Sequence, residues 1–361
     1  MSPTFRLALN PRQGTPGMVV LPASGFRRAK AEITSWPDYA PTPLRDLPSV
    51  AADAGVAAVR LKDEAGRFGL GSFKPLGAAY AVAKLLASRG GAPTTIACAT
   101  DGNHGRAVAW AARRFGAECV VLVHAAVSEA RADAIARFGA EVRRVPGTYD
   151  DAVREVARLA AEQGWIVVSD TSWPGYTAIP IDIMQGYRLM ADEAADQWQG
   201  PPPTHVFIQA GVGGVAAAVS VQMRARFTPH PRLVVVEPDR AACLLESLLA
   251  GHLATVEGSL DTIMAGLACG EPSLIAWQEL ERAATAFMAI PDAVAPGAMR
   301  LLAGLGIECG ESGVAGLAAL LLAARDADAS HDLCLGPDSR VLLFGTEGAT
   351  DPELYRRLTL G

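Results

Sequence analysis

From Pro93 onward, short apolar runs alternate with longer stretches in which apolar positions recur every three or four residues. TTIACA (94–99) precedes NHGRAVAWAARRFG (103–116), and ECVVLVH (118–124) precedes SEARADAIARFG (128–139). EVRRV (141–145) precedes YDDAVREVARLAAEQG (149–164), which leads to WIVV (165–168). Short continuous apolar runs read as strands buried on both faces, and the longer period reads as helices packed over them. The alternation predicts a parallel sheet with covering helices, ending near Asp170. By composition, QWQGPPPTH (197–205) is a linker. Beyond it come THVFIQ, a glycine loop, a helix, RLVVVE, more helices and a closing strand, RVLLFG (340–345). The expected class is α/β in two domains, each a mostly parallel sheet covered by helices. Residues 93–183 form the smaller domain, and 1–92 with 184–361 form a larger, discontinuous one. Residues before about 35, rich in Pro and Gly, are expected to be irregular.

Composition sharpens this picture in a few places. A chain of 361 residues suggests two lobes, and with half its residues hydrophobic but only 6% aromatic, the cores should be built from Ala, Val and Leu. The net charge of −6 argues against a nucleic-acid partner. No apolar run is long enough to span a bilayer, and the N-terminus lacks the charged-then-apolar plan of a signal peptide, so the expectation is a cytoplasmic protein without a membrane partner. The six cysteines include no C-x-x-C pair, so no metal site is expected. Cys98 and Cys119 lie in strand-like runs and should be buried thiols. Cys243 and Cys269 lie in segments that can approach each other, but a reducing compartment favours free thiols.

Three segments carry candidate chemistry. GSFKPLGAAYA (71–81) places Lys74, one of only four lysines, just before a helical pattern with apolar neighbours on both sides. A lysine that forms a Schiff base needs an enclosed apolar setting to lower its pKa. TDGNHGRAVAWAA (100–112) opens a second helix with a glycine-flanked Asn-His pair. GVGGVA (211–216) follows a strand and opens a third helix; glycines there let backbone N–H groups approach a phosphate, aided by the helix N-terminus. The same loop fits G-x-G-x-x-A, and Glu237 ends the next strand where a dinucleotide site keeps its ribose-binding acid. The residues alone therefore allow an NAD-dependent dehydrogenase, a different phosphate ligand, or a tight turn that binds nothing. Taken singly, Asn103 reads as a helix N-cap and His104 as a structural histidine, while Asp101 and Asp170 read as caps and Thr346 as a strand-end residue.

Read together, seven segments resemble the fold-type II pyridoxal-phosphate (PLP) enzymes, the family of serine and threonine dehydratases and cysteine synthase. They are SWPDYAPTPLRDL, LKDEAGRFGLGSFKPLGAAYA, ATDGNHGRAVAWAA, SDTSWPGYTAIPIDIMQGY, QAGVGGVAAAV, DTIMAGLACGEPS and TEGATDP, in that order. The resemblance implies PLP as cofactor, with Lys74 as its Schiff-base partner and the base at Cα. It implies Asn103 at the 3′ oxygen, the backbone of Gly211, Val212, Gly213, Gly214 and Val215 around the phosphate, and Thr346 at the ring nitrogen. It implies catalytic roles for Asp101 and Asp170, two acids that suit a substrate with two amino groups. One of them would serve the Cα isomer that Lys74 cannot reach. The implied activity is α,β-elimination of ammonia from 2,3-diaminopropionate (D, L or both), giving pyruvate and ammonia, by a homodimer acting on a small amino acid. The alternatives are a serine or threonine dehydratase on the same fold, a β-replacement synthase, which GNHG disfavours, and a PLP-binding sensor, which Lys74 disfavours. Two departures from the family pattern bear on the substrate: Ala79 removes a hydroxyl near the cofactor, and Gly71-Ser72 replaces the usual Asn-Ala.

Overall fold

A computed structural model describes residues 4–100 and 102–360. Its strands are β1 (Arg6–Leu9), β2 (Leu44–Asp46), β3 (Ala58–Asp63), β4 (Thr95–Thr100), β5 (Glu118–His124), β6 (Glu141–Val145), β7 (Ile166–Val167), β8 (His205–Gln209), β9 (Arg232–Pro238), β10 (Ala286–Ile290) and β11 (Arg340–Gly345). They form two sheets. The larger has the order β1-β10-β9-β8-β11-β3-β2 and the smaller β6-β5-β4-β7. The smaller sheet is parallel throughout. In the larger only the edge strands run antiparallel, β1 against β10 and β2 against β3. The α/β class, the strand–helix repeat and the sharing of one sheet by the late strands and the segment before Lys74 all appear as expected. The interior strands carry Ala, Val, Leu and Ile with almost no exposure, because helices cover both faces.

The expectation of an irregular N-terminus is wrong. Arg6–Leu9 forms the edge strand β1, and Ala23–Thr34 is a helix that buries Gly25, Phe26, Ala29 and Ile33 along one face. The Pro and Gly content belongs to the connections between these elements. Asn10 anchors the segment, its side-chain amide donating to the carbonyls of Glu281 and Ala284 at 3.0 and 2.8 Å. The apparent linker is the short connection from the Ala178–Gln197 helix to β8, pinned where Arg60 stacks 4.5 Å from the Trp198 ring.

Each sheet reverses direction once. In the smaller, β4 leads outward to β5 and β6, and β7 then returns to the other side of β4. In the larger, β8 leads to β9 and β10, and β11 returns to the other side of β8. Such switch points open a crevice at the carboxyl ends of the strands, where open α/β sheets bind ligands. Here one crevice lies beyond Thr100 and Val167, the other beyond Gln209 and Gly345.

Two packing features hold these ends in place. The Lys74–Ser88 helix crosses the Ala178–Gln197 helix at Gly77 and Gly186. A Cβ on Gly186 would stand 2.2 Å from the Leu76 carbonyl, and one on Gly77 2.5 Å from the Ile183 carbonyl. Only glycine permits backbones this close. Below the crossing lies a buried cluster of two cations and two anions. The Arg67 guanidinium donates to Glu64 at 2.8 Å and to Glu193 at 2.7 Å, and the Lys62 ammonium meets Glu193 at 2.7 Å. The balance matters, since a buried charge without a partner is strongly destabilising. Among the described residues all six cysteines are free, and five of them are buried. No helix of the described residues is long and apolar enough to cross a membrane.

Gly186→Ala should destabilise the protein by about 3 kcal/mol, the upper end of overpacking costs, because the obstacle is backbone. Gly297→Ala, with nothing within 4 Å of the added carbon, should change stability by less than about 1 kcal/mol. Denaturant unfolding of both variants gives the comparison.

Candidate active site

Both crevices open into one cavity, lined by the ends of strands and starts of helices from both sheets. Lys74, Asn103, Asp170, Thr346 and the Gly211–Val215 backbone all line it. Asp101, the tenth residue singled out from the sequence, lies outside the described residues.

Lys74 is the first residue of its helix, where Pro75 suits the first turn. The Phe73 N–H donates to the Thr346 carbonyl at 3.1 Å, fastening the start of the helix to the end of β11. The Phe73 ring packs edge-on against Tyr187, with centroids 4.6 Å apart. The Lys74 ammonium donates to the Asp170 carboxylate, which also accepts from the Tyr149 hydroxyl at 3.1 Å. His104 Nδ1 stands 3.7 Å from the same carboxylate. Its Nε2 lies 2.8 Å from the Val168 carbonyl, which only accepts, so Nε2 carries the hydrogen. In the neutral ring Nδ1 then presents a lone pair toward Asp170. The structural contact expected of His104 is present, but the other face of its ring belongs to the site.

The electrostatics correct the expectation of a depressed lysine. Burial does act on Lys74 as anticipated, disfavouring the ammonium. The Asp170 carboxylate outweighs it and holds the amine above the ordinary lysine range. Burial likewise opposes ionisation of Asp170, but His104 and Lys74, with hydrogen bonds from Lys74 and Tyr149, hold its carboxyl well below the usual carboxylate range. Burial pushes His104 down. The free Lys74 amine and Asp170 therefore pair as an ammonium and a carboxylate.

Asn103 is not the cap of its helix. Gly102, with φ at +141°, makes the turn, and Asn103 opens the helix. Its amide donates to the Glu347 carboxylate, which also accepts from Ser312 N–H at 3.1 Å, and its carbonyl oxygen accepts from Arg106 at 3.2 Å. Gly71 has φ of +70°, and a Cβ there would sit 3.2 Å from the Arg106 guanidinium; the Gly71 departure thus accommodates this arginine.

The glycine loop is built as an anion cradle. The Gly214–Arg226 helix begins behind Gly213, whose φ is +99°. Among the described residues, the N–H groups of Gly211 through Val215 donate to no protein acceptor. A Cβ on Gly211 would approach the Cys269 sulfur to 3.0 Å and crowd the loop. Glu237 does not serve a ribose. It is fully buried, and its carboxylate accepts from the N–H groups of Leu244 and Leu245 at 2.7 and 2.8 Å. That occupation of both oxygens removes the feature on which the dinucleotide reading depended.

Sequence reading missed Tyr149, Tyr187, Gln209 and Glu347, all of which line the cavity. Tyr187 is deeply buried, and its hydroxyl has no protein partner among the described residues. Its place after the helix-crossing Gly186 was the one local signal. Among the described residues no group of three or more His, Cys, Asp or Glu is arranged to hold a metal.

A cavity that sets a half-buried lysine beside an anion cradle of backbone N–H groups, at the switch points of two mostly parallel sheets, fits a phosphorylated cofactor that reacts with amines. Residues 36–343 match the model of the pyridoxal-phosphate-dependent enzymes, and the chain belongs to that family. It is 42% identical over 347 residues to diaminopropionate ammonia-lyase of Escherichia coli (strain K12), covering 89% of this chain and 87% of that protein. The solved structure of the holo form of diaminopropionate ammonia lyase from Escherichia coli superposes with a TM-score of 0.94 at 38% identity, over 99% of this chain and 97% of that one. The same enzyme in complex with an aminoacrylate–PLP azomethine reaction intermediate superposes with a TM-score of 0.93 at 38% identity, over 99% and 97%.

Gly213→Ala should weaken PLP binding roughly ten-fold or more, since a side chain at this positive φ adds strain of about 1–3 kcal/mol to the cradle. Spectrophotometric titration of the apoprotein with PLP measures it, with circular dichroism to show that the fold persists.

Proposed function

We propose that this chain catalyses the PLP-dependent α,β-elimination of ammonia from 2,3-diaminopropionate, with hydrolysis of the released aminoacrylate to pyruvate and a second ammonia. The observation that carries the proposal is the Lys74–Asp170 pair beside the Gly211–Val215 cradle, in a chain so similar to the Escherichia coli ammonia-lyase. A serine or threonine dehydratase remains the reading against which it is tested.

The residues divide the work as follows. Lys74 would hold the cofactor through its amine, the cradle its phosphate, Asn103 its 3′ oxygen and Thr346 its ring nitrogen. When bound, PLP supplies an electron sink that acidifies the substrate's Cα proton and assists loss of the β-group. Lys74, displaced by the substrate's amine, accepts the Cα proton on its own side. Asp170 takes part by exchanging the proton it shares with Lys74. Asp101 and Asp170 favour the charged form of the β-amino group, which leaves only when protonated. One of these acids serves as base for the Cα isomer whose proton points away from Lys74. The alternation of the two sheets also supports a division into a smaller domain of residues 93–183 and a larger one of 1–92 with 184–361. We further propose a cytoplasmic homodimer.

Lys74→Ala should abolish turnover and remove the borohydride-reducible absorbance band while leaving the circular dichroism spectrum unchanged. None of the other lysines lines the cavity: Lys30 and Lys84 pair with Asp192 and Asp182, and Lys62 is buried against Glu193. A surviving reducible band would transfer the Schiff-base role to one of them.

The unmodified enzyme should show a higher kcat/KM for 2,3-diaminopropionate than for serine. A charge-assisted hydrogen bond contributes about 1.5–3 kcal/mol, or roughly one to two orders of magnitude in that ratio. Asp170→Asn and Asp101→Asn should each shrink it, measured with both enantiomers of each substrate. Equal or better turnover of L-serine or L-threonine would replace this reading with the dehydratase.

A further inference from the structure

We propose that Tyr176 is a positioning residue that holds Asp170 in place beside Lys74, its hydroxyl standing in for the strand pairing that ends at Val167. The inference rests on the part given to Asp170 above. It adds a residue from the SDTSWPGY segment to which that reading gave no role.

Asp170 follows a very short strand. β7 has two residues, Ile166 and Val167, which pair with Ile96 and Ala97 of β4. One further bond runs from the Val168 N–H to the Ala97 carbonyl at 2.8 Å. Asp170 therefore lies three residues past the last ladder pair. A carboxylate on such a stretch keeps a fixed place only if side chains hold the main chain that carries it.

The Tyr176 hydroxyl does this on the side of the smaller sheet. It donates to the Val167 carbonyl at 2.8 Å and accepts from the Ser169 N–H at 3.0 Å. The carbonyl can only accept and the N–H can only donate, so the direction of both bonds is settled. Burial, with the nearby charge of Asp170, holds this hydroxyl above the ordinary tyrosine range, and its hydrogen stays in place. Tyr176 reaches back to β7 because Trp173–Tyr176 is a tight turn. The Tyr176 N–H donates to the Trp173 carbonyl at 2.9 Å, and Pro174 and Gly175 form the corner, Gly175 with φ of +87°. The Trp173 and Tyr176 rings stack with centroids 4.2 Å apart.

On the side of the larger sheet, Ser172 supplies a second anchor. Its N–H donates to Ser273 Oγ at 3.1 Å, its hydroxyl lies 2.7 Å from the same oxygen, and its carbonyl accepts from the Leu274 N–H at 3.0 Å. The Ser273 N–H in turn donates to the Val212 carbonyl of the cradle at 2.9 Å. Asp170 hangs between these two anchors. The serine anchor is shared with the cradle, whereas the tyrosine's two bonds end on residues just before the acid. Tyr176 is not among the residues that line the cavity, so it acts through Asp170 and not on substrate or cofactor.

The test is a double-mutant cycle on the holoenzyme saturated with PLP, assayed with 2,3-diaminopropionate. Tyr176→Phe should lower kcat by about ten- to a hundred-fold, since misplacing a reacting group by about 1 Å can cost about a hundred-fold. In an Asp170→Asn background the same change should cost less than about two-fold, because the group it positions is already gone. A merely structural tyrosine would cost the same in both. Amide hydrogen exchange gives a reading independent of turnover, and its wild-type half stands even if the phenylalanine variant does not fold. In the wild type the Ser169 N–H should exchange as slowly as the ladder amides of β4, although it lies beyond the ladder. In Tyr176→Phe it should lose this protection while β4 keeps its own. Equal losses of kcat in the two backgrounds, no loss in the first, or free exchange at Ser169 in the wild type overturns the proposal. An Asp170→Asn enzyme as active as the wild type would overturn the part given to Asp170 and the proposal with it. A protein with no borohydride-reducible band at Lys74 would instead mark failure of the PLP reading itself.

Discussion

The ion pair between Lys74 and Asp170 is the contact on which the rest of the site depends. Its partners lie 96 residues apart, one following the larger sheet's β3 and the other following the smaller sheet's β7. Each would be costly to bury alone. Together, with the Tyr149 hydroxyl donating to the carboxylate, they make a stable charged pair in an apolar setting. The pair also sets the chemical starting point. Beside Asp170 the free amine is held as an ammonium, so forming a Schiff base first requires loss of that proton, and burial by itself does not prepare it.

Everything around this pair serves to fix where the two side chains begin. The switch points bring the ends of β4, β7, β8 and β11 to one place. The crossing of Gly77 over Gly186 presses the first turn after Lys74 against the helix that carries Tyr187. The cluster of Lys62, Glu64, Arg67 and Glu193 joins that helix to the stretch of chain leading into Lys74. Three kinds of interaction, main-chain ladder, steric contact and buried charge, thus act on one short segment from different directions.

Much of this was legible in the sequence because it is local. Strands buried on both faces announce themselves as continuous apolar runs, and the glycine loop and the SFKPLG segment carry their chemistry in adjacent residues. What escaped depends on partners far along the chain. The raised basicity of Lys74 comes from Asp170, and no property of the residues next to the lysine reveals it. Glu347 and Tyr187 matter through atoms contributed by other elements. Glu237 misled in the opposite sense. Its spacing from the glycine loop matched a ribose-binding acid, but its oxygens are committed to the amides of Leu244 and Leu245. At the N-terminus, Pro and Gly in the connections obscured a four-residue strand and a helix whose apolar face has only a few members.

The glycine crossing also has a mechanical meaning. Two helices in backbone contact cannot slide or tilt without collision, so the Lys74–Ser88 and Ala178–Gln197 helices must travel as one rigid arm. The chain passes between this arm and the smaller sheet at just two places, residues 89–94 and 168–177. Any opening of the cleft has to hinge there. Asp170 rides on one of those hinges while Lys74 sits on the arm. A change in the angle of the cleft would therefore be felt first in the distance between these two side chains.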